Sequence, residues 1–140
     1  MNSSQLLEEF VDFSNRLRDS LAKRPEVVGL VLVGSTADLA RVDEWSDHDF
    51  YVVTVDGAAE SLRQDLSWLP DFDDIVMRPR ETDHGLKVVY ANGQVLEFAV
   101  FDDTELEQAG ANAYNVTLDR GSITERMAAI AQKSKPKPYD

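Results

Sequence analysis

The chain has 140 residues, 26 acidic and 14 basic side chains, a formal net charge of −12 and no cysteine. This length suits one domain, and a composition that is 43% hydrophobic and 9% aromatic supplies a core, which excludes wholesale disorder. The lack of cysteine excludes disulfides, zinc–thiolate sites and cysteine nucleophiles, and the acidic balance argues against duplex nucleic acid or an anionic membrane as a partner. No apolar run approaches the roughly 20 residues of a membrane span, and the first residues lack the basic region of a signal peptide, so we expect a cytoplasmic domain.

Helices and strands are predicted to alternate along the first half of the chain. Apolar residues at three- and four-residue steps predict a helix over 4–23. Short apolar runs rich in β-branched residues predict strands over 27–33 and 47–55. A helix over 58–69 is expected to end at Pro70, followed by a third strand over 75–80.

The clearest hairpin signal is Asn92-Gly93, between apolar strands over 86–90 and 95–101. If these two residues form the turn, Val88 lies opposite Glu97, and Lys87 lies opposite Phe98 on the face away from Glu97.

A short acidic helix is predicted over 104–109, and the capping-box spacing of Ser122 and Glu125 opens a last helix that ends near Gln132. We expect one domain over 1–132 and a flexible basic tail over 133–140. The fold class is α/β (α+β), with a mixed sheet of about five strands, helices on one face and an acidic site on the other.

Three features indicate chemistry, although each has an ordinary structural explanation when taken alone. Gly34 and Ser35 directly follow a buried strand, where glycine lets the backbone approach a ligand and serine adds a hydroxyl. Asp47 and Asp49 open the next strand and alternate onto one face, where two neighbouring carboxylates repel each other unless a cation lies between them. Mg²⁺ is the expected cation, because it prefers carboxylate and phosphate oxygens.

The third feature is Glu97, the one charged side chain in the strand over 95–101. A second Asp-x-Asp triplet, 71–73, lies in a loop-like acidic cluster and is explained by solvation. His48 alternates into the packing layer, which predicts a core histidine, and the isolated His84 is assigned no role.

In combination, Gly34-Ser35, Asp47-His48-Asp49 and Glu97 resemble the nucleotidyltransferase superfamily that shares its fold with DNA polymerase β. Within it, the chain is most similar to bacterial aminoglycoside and lincosamide nucleotidyltransferases, over about residues 27–101. Two departures are His48, at a position that is usually aliphatic in the family, and the short chain after residue 101, where such transferases continue into a helical domain.

The resemblance implies that Gly34 and Ser35 bind the triphosphate. It implies that Asp47, Asp49 and Glu97 are catalytic and hold the metal, with two Mg²⁺ ions expected. Glu97 would also activate the acceptor hydroxyl. The implied reaction moves a nucleoside monophosphate, AMP from ATP, to a hydroxyl acceptor and releases pyrophosphate.

Two alternatives stay open. The short length is typical of minimal nucleotidyltransferase-type antitoxins, in which a protein partner, a helical toxin, is bound. A degenerate domain that binds nucleotide without turnover is the other. The acceptor, the nucleobase and the oligomeric state are not encoded in any motif of the chain.

Overall fold

The computed structural model describes residues 3–34, 48–110 and 113–133. Two of the predicted site residues, Ser35 and Asp47, therefore lie outside the described residues, as does the predicted tail beyond Lys133.

The described chain contains six strands and three α-helices. The strands are β1 Val27–Val33, β2 His48–Thr54, β3 Ile75–Met77, β4 Gly85–Tyr90, β5 Val95–Asp102 and β6 Tyr114–Asp119. The helices are α1 Ser3–Ala22, α2 Ala59–Gln64 and α3 Ile123–Lys133. The predicted helix over 104–109 is only a 3₁₀ turn, Leu106–Gln108, and the predicted helix over 58–69 ends at Gln64.

All six strands form one sheet, in the order β3-β4-β5-β2-β1-β6. Strands β2 and β5 are parallel, and the other four neighbouring pairs are antiparallel, which confirms the predicted mixed sheet. The sheet has six strands instead of about five because β6, which was not predicted, pairs with the free edge of β1.

Each face of the sheet has its own apolar cluster. On the first face, α1 and α2 pack against the sheet through side chains such as Leu17 and Leu62, which join Leu30, Phe50 and Phe98 in one buried cluster. None of the described helices is long and apolar enough to cross a membrane.

The second face carries α3, so the expectation of helices on one face only is wrong. Ile123 and Met127 of α3 are buried with Val31, Val53 and Phe101, which alternate away from the first cluster. Among the described residues, this cluster includes the later residues of β2 and β5, and Asp49 and Glu97, nearer the starts of these strands, do not belong to it.

The start of α3 also differs from the predicted capping box. Ser122 has a left-handed backbone, with φ of +59°, and the caps are supplied by Asp119 at the end of β6. Its carboxylate accepts hydrogen bonds from the backbone amides of Ile123 and Thr124, each at 3.0 Å. A carboxylate at this place satisfies helix N–H groups that have no partner within the helix.

The hairpin between β4 and β5 has a three-residue loop, and the predicted register is wrong by one residue. Tyr90 and Gln94 close the loop, where the amide of Tyr90 donates to the carbonyl of Gln94 at 2.9 Å, and Gly93 takes the positive φ of +90°. Lys87 therefore lies opposite Glu97, and Val88 lies opposite Leu96. Because side chains alternate with a period of two, this shift moves Lys87 onto the face of Glu97.

Candidate functional site

Asp49 and Glu97 lie side by side on the second face of the sheet, outside the apolar cluster around α3. They are direct partners in the parallel register of β2 and β5, and neighbouring strands are about 5 Å apart. Asp49 is half-buried, whereas the side chain of Glu97 is 47% exposed. The two carboxylates thus share a face, as the acidic site expected from the sequence requires. Asp47, the third expected member, lies outside the described residues, and the chemical roles of all three stay a prediction.

Gly34 brings the backbone against Asp49 from the other side. It directly follows β1, whose last residue, Val33, pairs with Asp49. Gly34 has a φ of +59°, and a Cβ built on it would come within 2.8 Å of Asp49 Oδ2. Only glycine combines this left-handed backbone with room for the carboxylate. The predicted Gly34 turn therefore borders Asp49 directly.

Lys87 extends the row of charges on the opposite side. It is the β4 partner of Glu97, and its Nζ lies 3.6 Å from Glu97 Oε1. Asp49, Glu97 and Lys87 thus occupy corresponding positions on three adjacent strands, β2, β5 and β4. The sequence prediction that Lys87 faces away from Glu97 is wrong, because the three-residue loop shifts the register of the hairpin by one residue.

Tyr51 lies on the same face, two residues beyond Asp49. Its hydroxyl donates a hydrogen bond to the carbonyl of Gly110 at 2.6 Å, and its ring packs edge-on against Phe101. Burial raises the pKa of the Tyr51 phenol, and the negative charge of Asp49 raises it further. Tyr51 is therefore protonated at neutral pH. It packs against the apolar cluster around α3 and lies between this cluster and Asp49.

His48 faces the opposite side of the sheet, as predicted for a core histidine. It is 3% exposed, and its ring stacks on Phe10 of α1 with the ring centroids 3.8 Å apart. Burial lowers the pKa of His48 to about 3, so the imidazole is neutral at physiological pH. Its position excludes direct contact with a ligand on the face of Asp49 and Glu97.

His84 belongs to a separate polar cluster. Its Nε2 lies 3.0 Å from Glu105 Oε2, and the other oxygen of Glu105 accepts a hydrogen bond from the buried guanidinium of Arg63 at 2.9 Å. Arg63 also donates twice to the carbonyl of Val100. These bonds join α2, β5 and the loop before β4, which is a structural role.

The donor set at Asp49 and Glu97 fits a hard divalent cation. Both are carboxylates, and Mg²⁺ in proteins typically takes one or two carboxylates, with water and phosphate oxygens as its other ligands. Among the described residues no group of three or more potential metal ligands is found. The third carboxylate that the sequence predicts, Asp47, lies outside this part of the chain.

Sequence reasoning missed Lys87 and Tyr51 as neighbours of the acidic pair. Lys87 could have been found from the alternation of Leu86, Val88 and Tyr90, all buried in the first face. That alternation demands a register in which Lys87 faces outward, and it is stronger evidence than a single Asn-Gly pair.

Comparison with known proteins adds no assignment to this geometry. No protein-family model matches the sequence, and no match to a curated protein was found.

Proposed function

We propose that the protein is a metal-dependent nucleotidyltransferase that moves AMP from ATP to an acceptor hydroxyl. The observation that carries the proposal is the direct pairing of Asp49 with Glu97 on adjacent parallel strands, with Gly34 against Asp49. Two carboxylates beside a tight glycine turn suit a ligand that brings both a divalent cation and phosphate oxygens.

Each residue has a distinct part in this reaction. Asp47, Asp49 and Glu97 would hold Mg²⁺, and Gly34 and Ser35 would bind the triphosphate. Glu97 accepts the proton of the acceptor hydroxyl, whose oxygen forms a bond to the α-phosphorus. The bond between the α-phosphorus and the bridging oxygen breaks, and pyrophosphate leaves. When bound, Mg²⁺ neutralises charge on the phosphates.

The exposure of Glu97 supports its assignment as the base, because a proton acceptor must be reachable by the acceptor. Its side chain is 47% exposed, whereas Asp49 is half-buried beside Gly34. The more enclosed carboxylate suits a metal ligand that stays in place, and the open one suits contact with a second substrate.

Thermal melting tests the binding half of the proposal. With ATP and Mg²⁺ together at about 100 times the dissociation constant, the folded state gains about 2.7 kcal/mol. ATP alone and Mg²⁺ alone should give much smaller shifts. Asp49→Asn should abolish the combined shift, and Glu8→Gln, a carboxylate change on the exposed side of α1, should keep it.

Release of pyrophosphate with candidate hydroxyl acceptors tests the transfer half. Glu97→Gln should keep part of the nucleotide-linked stabilisation, because Asp47 and Asp49 still hold the metal, and should lose roughly 10²- to 10⁴-fold in rate, the usual contribution of a general base. Equal melting temperatures under all ligand conditions would contradict the site. Binding without Glu97-dependent transfer would favour the alternatives of a partner-binding or degenerate domain.

A further inference from the structure

Among the residues that the structure describes, the ion pair between Lys87 and Glu97 is longer than the other ion pairs that join different elements. At 3.6 Å it is too long for a hydrogen bond, and both side chains are well exposed, at 40% and 47%. By contrast, Arg80 donates two hydrogen bonds of 2.7 Å to Glu60, and Arg63 is buried against Glu105. The Lys87 ammonium is therefore a loosely held neighbour of Glu97, and little energy is needed to separate the pair.

We propose that Lys87 is a positioning residue of the acidic site: it is the resident counter-ion of Glu97, and it leaves the carboxylate when a divalent cation binds there. The inference rests on the proposed function in that it takes Asp49 and Glu97 as metal ligands. It adds a residue whose charge sets the affinity of the site for the metal.

The order of the strands supports this role. Glu97 lies on β5, between Asp49 on β2 and Lys87 on β4. Without a metal, Glu97 has a carboxylate on one side and an ammonium on the other, so its attraction to Lys87 offsets its repulsion by Asp49. A divalent cation between the two carboxylates offsets the same repulsion with a higher charge. The ammonium of Lys87 then repels the bound cation.

A role for Lys87 as a triphosphate ligand agrees less well with the strand order. Gly34, which borders Asp49, follows β1, on the side of β2 opposite to β5. Lys87 lies two strands from Asp49 in the other direction, or about 10 Å at the usual strand spacing. The glycine turn and Lys87 thus flank the acidic pair from opposite sides.

Direct binding of Mn²⁺ to the full chain, measured from the paramagnetic resonance signal of free Mn²⁺, tests the proposal without any turnover. Lys87→Met should bind Mn²⁺ about two- to fivefold more tightly, which corresponds to an exposed ion pair worth up to about 1 kcal/mol. Lys87→Arg keeps the charge and should bind like the wild type. Lys23→Met, an exposed lysine at the end of α1, is the matched control and should cause no change.

A double-mutant cycle assigns the effect to Glu97. In a Glu97→Gln background, Lys87→Met should no longer change the affinity for Mn²⁺, because the pair that competes with the metal is already absent. The gain from Lys87→Met should also shrink as the salt concentration rises. Circular dichroism of each variant verifies that the fold is retained.

The outcomes separate this proposal from the proposed function. If Mn²⁺ affinity falls in Asp49→Asn and in Glu97→Gln but Lys87→Met leaves it unchanged, the metal site stands and the counter-ion role is refuted. A gain that persists in the Glu97→Gln background also refutes it. If neither carboxylate variant alters Mn²⁺ binding, the proposed function itself fails, and the role of Lys87 fails with it.

Discussion

Replacement of Gly34 by alanine is the substitution whose consequences the structure defines most closely. A non-glycine residue at a φ of +59° costs about 1–2 kcal/mol, because its Cβ crowds the following carbonyl oxygen. At this position the new Cβ would also lie 2.8 Å from Asp49 Oδ2, so the carboxylate has to move. Gly34→Ala should therefore affect both the stability of the fold and the position of Asp49.

Gly57→Ala is a matched control. Gly57 also has a positive φ, +82°, but a Cβ built there meets nothing within 4 Å. Both variants should lose about 1–2 kcal/mol of unfolding free energy in urea from backbone strain. Only Gly34→Ala should weaken the binding of nucleotide, since only its methyl group displaces Asp49.

The assay is urea unfolding with and without Mg-ATP. At about 100 times the dissociation constant, wild type and Gly57→Ala should each gain about 2.7 kcal/mol. If the displaced carboxylate weakens binding tenfold, Gly34→Ala gains only about 1.4 kcal/mol at the same ligand concentration. Equal gains in Gly34→Ala and Gly57→Ala would refute the argument that the bare backbone of Gly34 makes room for Asp49.

Three further predictions concern the fold. Because His48 has a pKa of about 3 when folded and about 6.5 when unfolded, only the unfolded imidazole takes up a proton as the pH falls below 6.5. Stability should fall by about 2 kcal/mol between pH 7.5 and pH 5, and His48→Leu should lose that share of the pH dependence in urea titrations. Arg63→Met should cost about 2–4 kcal/mol at neutral pH, since it removes the side-chain donor to the carbonyl of Val100 and one of the donors to the carboxylate of Glu105. A loss under 0.5 kcal/mol would contradict this. Asp119→Ala removes the cap of α3 and should lower stability by about 1 kcal/mol by the same method, whereas an unchanged midpoint would mean that the cap is dispensable.

The strands that hold the acidic pair could be predicted from the sequence because their apolar runs are short and rich in β-branched residues. Val27–Val33 has the predicted bounds, and alternation along β2 and β5 correctly placed Asp49 and Glu97 on one face. The opposite orientation of His48 follows from the same period of two. These features are local, so one sequence is sufficient to find them.

Features that depend on tertiary context could not be predicted in this way. Asn92-Gly93 is compatible with a loop of two residues or of three, and the choice changes which face Lys87 occupies. β6, Tyr114–Asp119, contains asparagine and aspartate, which are rare in strands, and it is a strand because β1 offers a free edge. The packing of α3 on the second face likewise depends on the partner surface, Val31 and Val53, rather than on the helix itself.

A crystal structure with Mn²⁺ and a non-hydrolysable ATP analogue would show whether Asp49 and Glu97 bind a metal–nucleotide complex. We expect an anomalous scattering peak within about 2.0–2.3 Å of carboxylate oxygens of both Asp49 and Glu97, with the analogue's phosphates beside Gly34. Lys87 Nζ should then have moved away from Glu97, and Asp49→Asn crystals soaked in the same way should lose the peak. Manganese bound away from both carboxylates, with the analogue present, would contradict the assignment of this face as a metal-nucleotide site.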